Sequence, residues 1–208
     1  MAAERDYGKD IAEIRTMMER SSRFMSLSGL AGVMAGIYAL AGAWVVHSVY
    51  DFNPDALFYT ATGPGSMYAD MPKVAFVALL VMILAVSTAI FLSYRKAKRR
   101  EETFWNATSR RLVANMAVPL AAGGVLAVIL YAKGVIGLIA PVTLLFYGLA
   151  LYTASKFTYD DVRVLGLIQI ALGLAACWFV AYSLLIWAVG FGAVHILYGS
   201  YMYLRYER

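Results

Sequence analysis

Five stretches of this chain, residues 24–50, 74–94, 112–132, 134–155 and 164–204, contain no Asp, Glu, Lys or Arg. A helix rises 1.5 Å per residue, so about 20 apolar residues cross the roughly 30 Å hydrocarbon core of a bilayer. Each of the first four runs is long enough for one crossing. The fifth, as a single helix, would measure roughly 60 Å, about twice the core, and must therefore fold back. A turn near Tyr182–Ser183 divides it into spans 164–183 and 184–204, with Trp178 and Trp187 near the same interface. A turn at Gly190–Gly192 leaves the last piece too short to cross. Composition agrees: hydrophobic residues make up 62% and charged residues 15% of the chain, against about 45–50% and about 25% in ordinary globular domains. The chain reads as an all-α integral membrane protein. A six-transmembrane-helix bundle over residues 24–204 is preceded by a segment at 1–23 and followed by a tail at 205–208.

The cations orient it. Sixteen of the 18 Lys and Arg residues fall in the segments 1–23, 95–111, 156–163 and 205–208, all on one side of such a bundle. Lys73 and Lys133 alone fall on the other. Cationic loops are retained in the cytoplasm, which predicts that both termini are cytoplasmic in a bacterial cytoplasmic (inner) membrane. The net charge of +5 is then a basic rim facing anionic headgroups, each cation contributing about 1 kcal/mol. No nucleic-acid partner is expected, because the run 95–100 carries no groove-reading motif. Asn106-Ala107-Thr108 matches a glycosylation acceptor but falls in a loop predicted to be cytoplasmic. No cleavable signal peptide is expected, since the first apolar run starts after 23 residues and exceeds a signal core of about 7–15.

Within 1–23, Tyr7, Ile11, Ile14 and Met18 share one helical face, which predicts an amphipathic cytoplasmic helix lying on the membrane or on a partner. The outer segment 51–72 has turn signals at Asn53-Pro54 and Thr62-Gly63-Pro64-Gly65, and a short interfacial helix is expected between Asp55 and Thr60. Its acids Asp51, Asp55 and Asp70 lack metal-loop spacing. The remaining connections are short, which predicts three antiparallel hairpins of consecutive helices. A repeat runs through them: Tyr147-Gly148 with Tyr152 recurs 51 residues later as Tyr198-Gly199 with Tyr203, and Gly29 and Gly36 match the spacing of Gly166 and Gly173. Gly29, Gly32, Gly36, Gly166 and Gly173 are the expected helix-packing positions, because small residues let backbones approach. Pro119 and Pro141 are expected to kink the third and fourth helices. Cys177 is read as a small buried apolar residue.

No ionisable carboxylate, Lys or Arg lies inside an expected span. Ion-coupled carriers and voltage sensors need such a group in the membrane, so these classes are disfavoured. Two histidines remain. His47 lies near the outer end of the first span, and His195 roughly 13 Å below the outer surface at about 1.5 Å per residue. Their depths do not suit one shared haem or metal. A buried imidazole must be paired, and His195 is expected to hold a hydrogen bond. Asn115 and Gln169, near the inner ends of the third and fifth spans, are expected to bond each other or to line a shallow cavity. No catalytic set appears. A rhomboid-type Ser–His site is excluded because Gly148-Leu149-Ala150-Leu151 stands where a Gly-x-Ser-Gly turn would be needed. No metal or cofactor motif is found. The leading expectation is a non-enzymatic multi-pass module acting through lipids or protein partners, as a homo-oligomer or with another membrane protein. A small channel or facilitator for neutral or weakly charged solutes, lined by His195, Asn115 and Gln169 with His47, is the alternative. A histidine-dependent cofactor-binding subunit is the third.

Overall fold

The computed structural model describes Phe24, Met25, residues 27–52, Pro54 and residues 67–207. The amphipathic segment expected over 1–23 and the interfacial helix expected from Asp55 to Thr60 lie outside the described residues. The described chain is all-helical, without a strand, and contains six helices long and apolar enough to cross a membrane. They are α1 (Gly29–Tyr50), α2 (Met67–Arg99), α3 (Ala107–Ala132), α4 (Ile139–Ala154), α5 (Asp161–Trp178) and α6 (Val180–Tyr206).

Local chemistry sets several of these limits. The Asn106 side chain accepts from the Ser109 N–H, and the Ser109 hydroxyl accepts from the Asn106 N–H. This reciprocal capping box satisfies two orphan donors and starts α3 five residues before the charge-free run does. Asp51 ends α1 in the left-handed region at φ 48°, which Asp tolerates better than most side chains. Pro141 lies in the first turn of α4. There the missing N–H has no α-helical partner to lose, so Pro141 starts α4 without interrupting its hydrogen-bond ladder. Phe179 leaves helical geometry at φ −103° and ψ 64°, which places the turn between α5 and α6 before Tyr182–Ser183.

In space the helices follow the order α2, α1, α6, α5, α4, α3. Their starts and ends alternate, so the beginnings of α1, α3 and α5 meet the ends of α2, α4 and α6 at one basic end. α1 packs on α2 and α3 on α4, the neighbours that chain order predicts, whereas α5 and α6 meet less closely. α6 lies most closely along α1, and it meets its chain neighbour α5 through the half that precedes His195. The cause is a matter of surface: backbones approach closely only where side chains are small. A Cβ added at Gly29 would lie 2.5 Å from both the Gly199 carbonyl oxygen and the Tyr203 nitrogen.

The same interface occurs twice. A Cβ added at Gly166 would meet Tyr152 N at 2.8 Å and Gly148 O at 2.9 Å, the residues that precede Tyr203 and Gly199 by the 51-residue repeat. The reciprocal contacts also correspond: Gly148 faces Gly166 O and Ile170, and Gly199 faces Gly29 O and Val33. Gly173 abuts Leu145 as Gly36 abuts Ile196. Thus α4 on α5 and α6 on α1 are two copies of one glycine-mediated contact. α2 and α3, the remaining neighbours in such a ring, make no comparable contact. α2 uses a single stripe against α1, where Val77 and Val81 cover Gly42 and the Tyr38 and Thr88 hydroxyls lie 3.3 Å apart. Between Pro72 and Leu92 it has no buried residue.

Candidate functional site

The middle of α6 departs from α-helical form. A π-helical turn, Ala188–Val194, separates α-helical Ser183–Trp187 from His195–Tyr206. Wide turns of this kind disturb the regular backbone ladder, and here side chains converge on one of its carbonyls. Gly190 O receives His195 Nδ1 at 2.9 Å and Gln169 Nε2 at 2.8 Å. A carbonyl oxygen only accepts, so Nδ1 carries the imidazole proton in this arrangement. Nε2 then presents its lone pair and accepts from the Tyr147 hydroxyl at 2.9 Å. His195 Nδ1 and Gln169 Nε2, 3.4 Å apart, are two donors directed at one oxygen. Gln169 is completely enclosed and His195 nearly so.

Aromatic rings close the remaining sides. Phe191 stacks on His195 with ring centroids 5.8 Å apart and planes 19° from parallel, and it packs against Tyr147 and Trp187 at 5.0 Å. Trp187 Nε1 donates to Thr143 Oγ1 at 3.1 Å. Both nitrogens of the imidazole are therefore used. A metal, haem or transferred proton reaches Nε2 only by displacing Tyr147. Among the described residues, no group of three or more His, Cys, Asp or Glu side chains is placed to hold a metal ion. Three buried polar atoms among them lack a hydrogen-bond partner: Gln169 Oε1, Ser183 Oγ and the Tyr198 hydroxyl.

Of the sequence candidates, His195 and Gln169 come together. Asn115 does not join them. It is exposed on α3, and its amide donates back to the Arg111 carbonyl at 2.8 Å. His47 is exposed on α1. Gly29, Gly32 and Gly36 all face α6, and Gly166 and Gly173 face α4. Cys177 is exposed rather than buried, because the outward side of α5 meets no other helix there.

A second polar cluster, at the basic end, was not legible as a site. Lys96 is only 9% exposed, and its ammonium donates to Leu27 O at 2.5 Å and lies 3.2 Å from Glu207 Oε1. The same carboxylate accepts from the Gly29 N–H and from Ser28 Oγ, capping the start of α1 from the far end of the chain. Tyr159 donates to Met25 O, and Thr158 Oγ1 donates to Phe24 O. Burial pushes the Tyr159 hydroxyl above its ordinary pKa, so it remains a donor there. Phe24, Met25, Leu27 and Ser28 are thus fastened to α2, to the α4–α5 connection and to the end of α6. In the sequence Lys96 falls within the basic run 95–100, because the charge-free pattern stops at Tyr94. Extending the helix aligns Ser93, Lys96 and Ala97 on one buried face.

No protein-family model, curated protein or solved structure matches this chain.

Proposed function

We propose that this protein is a non-enzymatic six-helix module of a bacterial cytoplasmic membrane, with both termini cytoplasmic, that acts by associating with lipids, with further copies of itself or with another membrane protein. The observation that carries this reading is how the interior polar groups are spent. His195, Tyr147, Gln169 and Gly190 O bond mainly to one another. The lateral surface, by contrast, is apolar and incomplete. α2 leaves Phe76, Leu79, Ile83, Val86 and Ile90 exposed, and Gly124 of α3 has no atom within 4 Å of an added Cβ. A module whose buried imidazole has both nitrogens engaged and whose flank is open is suited to lateral contacts.

Reconstitution into liposomes tests it. The expected result is solute and ion flux no greater than in empty vesicles, together with a discrete cross-linked species when intact membranes are treated before solubilisation. Flux abolished by His195→Phe would instead establish the channel reading, which draws on the three unpartnered buried polar atoms among the described residues.

A further inference from the structure

Where α5 and α6 splay apart towards the basic end, they leave a lateral groove of about 460 Å³. Val164, Leu165 and Ile168 form one wall, and Val194, Leu197, Tyr198 and Tyr201 the other. It runs roughly 10 Å along each helix, at about 1.5 Å per residue, about a third of a bilayer's hydrocarbon thickness of roughly 30 Å. Its aliphatic lining is poorly covered by the protein itself: Val164 is 58% and Leu197 72% exposed. Both helices are long and apolar enough to cross a membrane, so an acyl chain is the apolar body available to fill a sideways-opening slot.

The mouth carries both signs of charge. Asp161 stands in the first turn of α5, and its Oδ2 accepts from the Tyr206 hydroxyl at 2.7 Å. Its Oδ1 lies 3.6 Å from Arg205 Nη1, too far for a hydrogen bond. The two groups form an ion pair, but a carboxylate accepts about four hydrogen bonds and a guanidinium donates five, so each keeps unused capacity. Arg205 donates to the Tyr201 hydroxyl and lies against the Tyr201 and Tyr206 rings, which holds the guanidinium beside the groove-lining Tyr201. Its side chain is 54% exposed.

We infer that this groove binds one phospholipid whose headgroup carries both a phosphate and a primary ammonium, with an acyl chain between α5 and α6, the phosphate on Arg205 and the ammonium on Asp161. Charge complementarity selects this class. A headgroup that is only anionic meets the Asp161 carboxylate, and a quaternary ammonium has no N–H to give Asp161 Oδ1. The inference names one partner within the association reading above and rests on it.

The test uses the full chain purified in detergent, equilibrated with mixed micelles holding equal amounts of phosphatidylethanolamine, phosphatidylcholine and phosphatidylglycerol, with retained lipid read by native mass spectrometry. Phosphatidylethanolamine is expected to be retained in preference to the other two. Asp161→Asn is expected to reduce that preference about tenfold, the loss of one charge-assisted hydrogen bond. Leu197→Trp, at an exposed position that tolerates bulk, is expected to fill the slot and reduce retention of all three lipids. Equal retention of the three, preference for phosphatidylglycerol, or a preference unchanged in both variants overturns the site. Those outcomes leave flux at background and cross-linking intact, so the site fails separately from the association reading.

Discussion

At the scale of single residues, the informative group is one imidazole. Gly190 O fixes the proton on Nδ1, and Tyr147 occupies Nε2, so His195 is held in one tautomer by partners on two helices. In ¹⁵N-histidine-labelled protein, the His195 resonances are expected to report a protonated Nδ1 and an unprotonated Nε2. Tyr147→Phe removes the donor to Nε2 and leaves a buried acceptor unsatisfied, a cost of about 1–3 kcal/mol, measurable by unfolding in mixed micelles. Combining it with His195→Phe removes both partners, and the double variant is expected to lose less than the sum of the singles. The sequence marked His195 as a histidine needing a partner, because an unpaired imidazole in hydrocarbon is costly. It did not mark Tyr147, since tyrosines are frequent near membrane interfaces and the 51-residue repeat drew attention to the adjacent glycine. The π turn that carries Gly190 had no sequence signal beyond two glycines.

At the scale of helices, six charge-free spans were readable because burying a charge in hydrocarbon is penalised residue by residue. Helix neighbours were less readable. Between apolar helices in lipid there is no hydrophobic preference for one partner over another, so chain order accounts for α1 beside α2 and α3 beside α4, while surface shape sets α6 on α1 and α5 on α4. The glycines recorded that shape: Gly29, Gly32 and Gly36 define the face of α1 that meets α6, and Gly166 and Gly173 define the face of α5 that meets α4. Gly199→Ala places a methyl 2.5 Å from Gly29 O and Val33 N, and the expected destabilisation is about 1–3 kcal/mol of overpacking. Gly148→Ala, its counterpart in the other copy, meets Gly166 O at 2.7 Å and should behave alike. Gly124→Ala is the control. With nothing within 4 Å, it gains helix propensity of up to about 1 kcal/mol and should leave unfolding unchanged or shifted upward. Equal losses at all three glycines would mean that the α1–α6 and α4–α5 contacts are not what selects glycine.

At the scale of the molecule, α2 is the weakly held member. It touches the bundle through one stripe on α1, and its two ends do most of the fastening. Met71 enters the cluster with Val46, Phe52 and Ile136 at one end, while Lys96 and Arg100 reach Leu27 O, Glu207 and Tyr206 O at the other. The Lys96–Glu207 pair joins the end of α2, the start of α1 and the end of α6 through a single carboxylate. A nearly buried pair contributes little as an alternative to apolar packing, but removing one partner strands the other charge, at about 3 kcal/mol. Lys96→Met should therefore destabilise the whole bundle by that amount, although the substitution adds apolar surface in an apolar protein. Adding Glu207→Gln removes the stranded charge while keeping an acceptor for the Gly29 N–H, and should recover part of the loss. Hydrogen exchange should separate local from global effects. If the pair fastens α2, Lys96→Met raises exchange at the basic end of α2 and in residues 27–32 before it raises exchange around His195. Uniform exchange along α2, α4 and α6 would make Lys96 an ordinary contributor to bundle stability and α2 no looser than its neighbours.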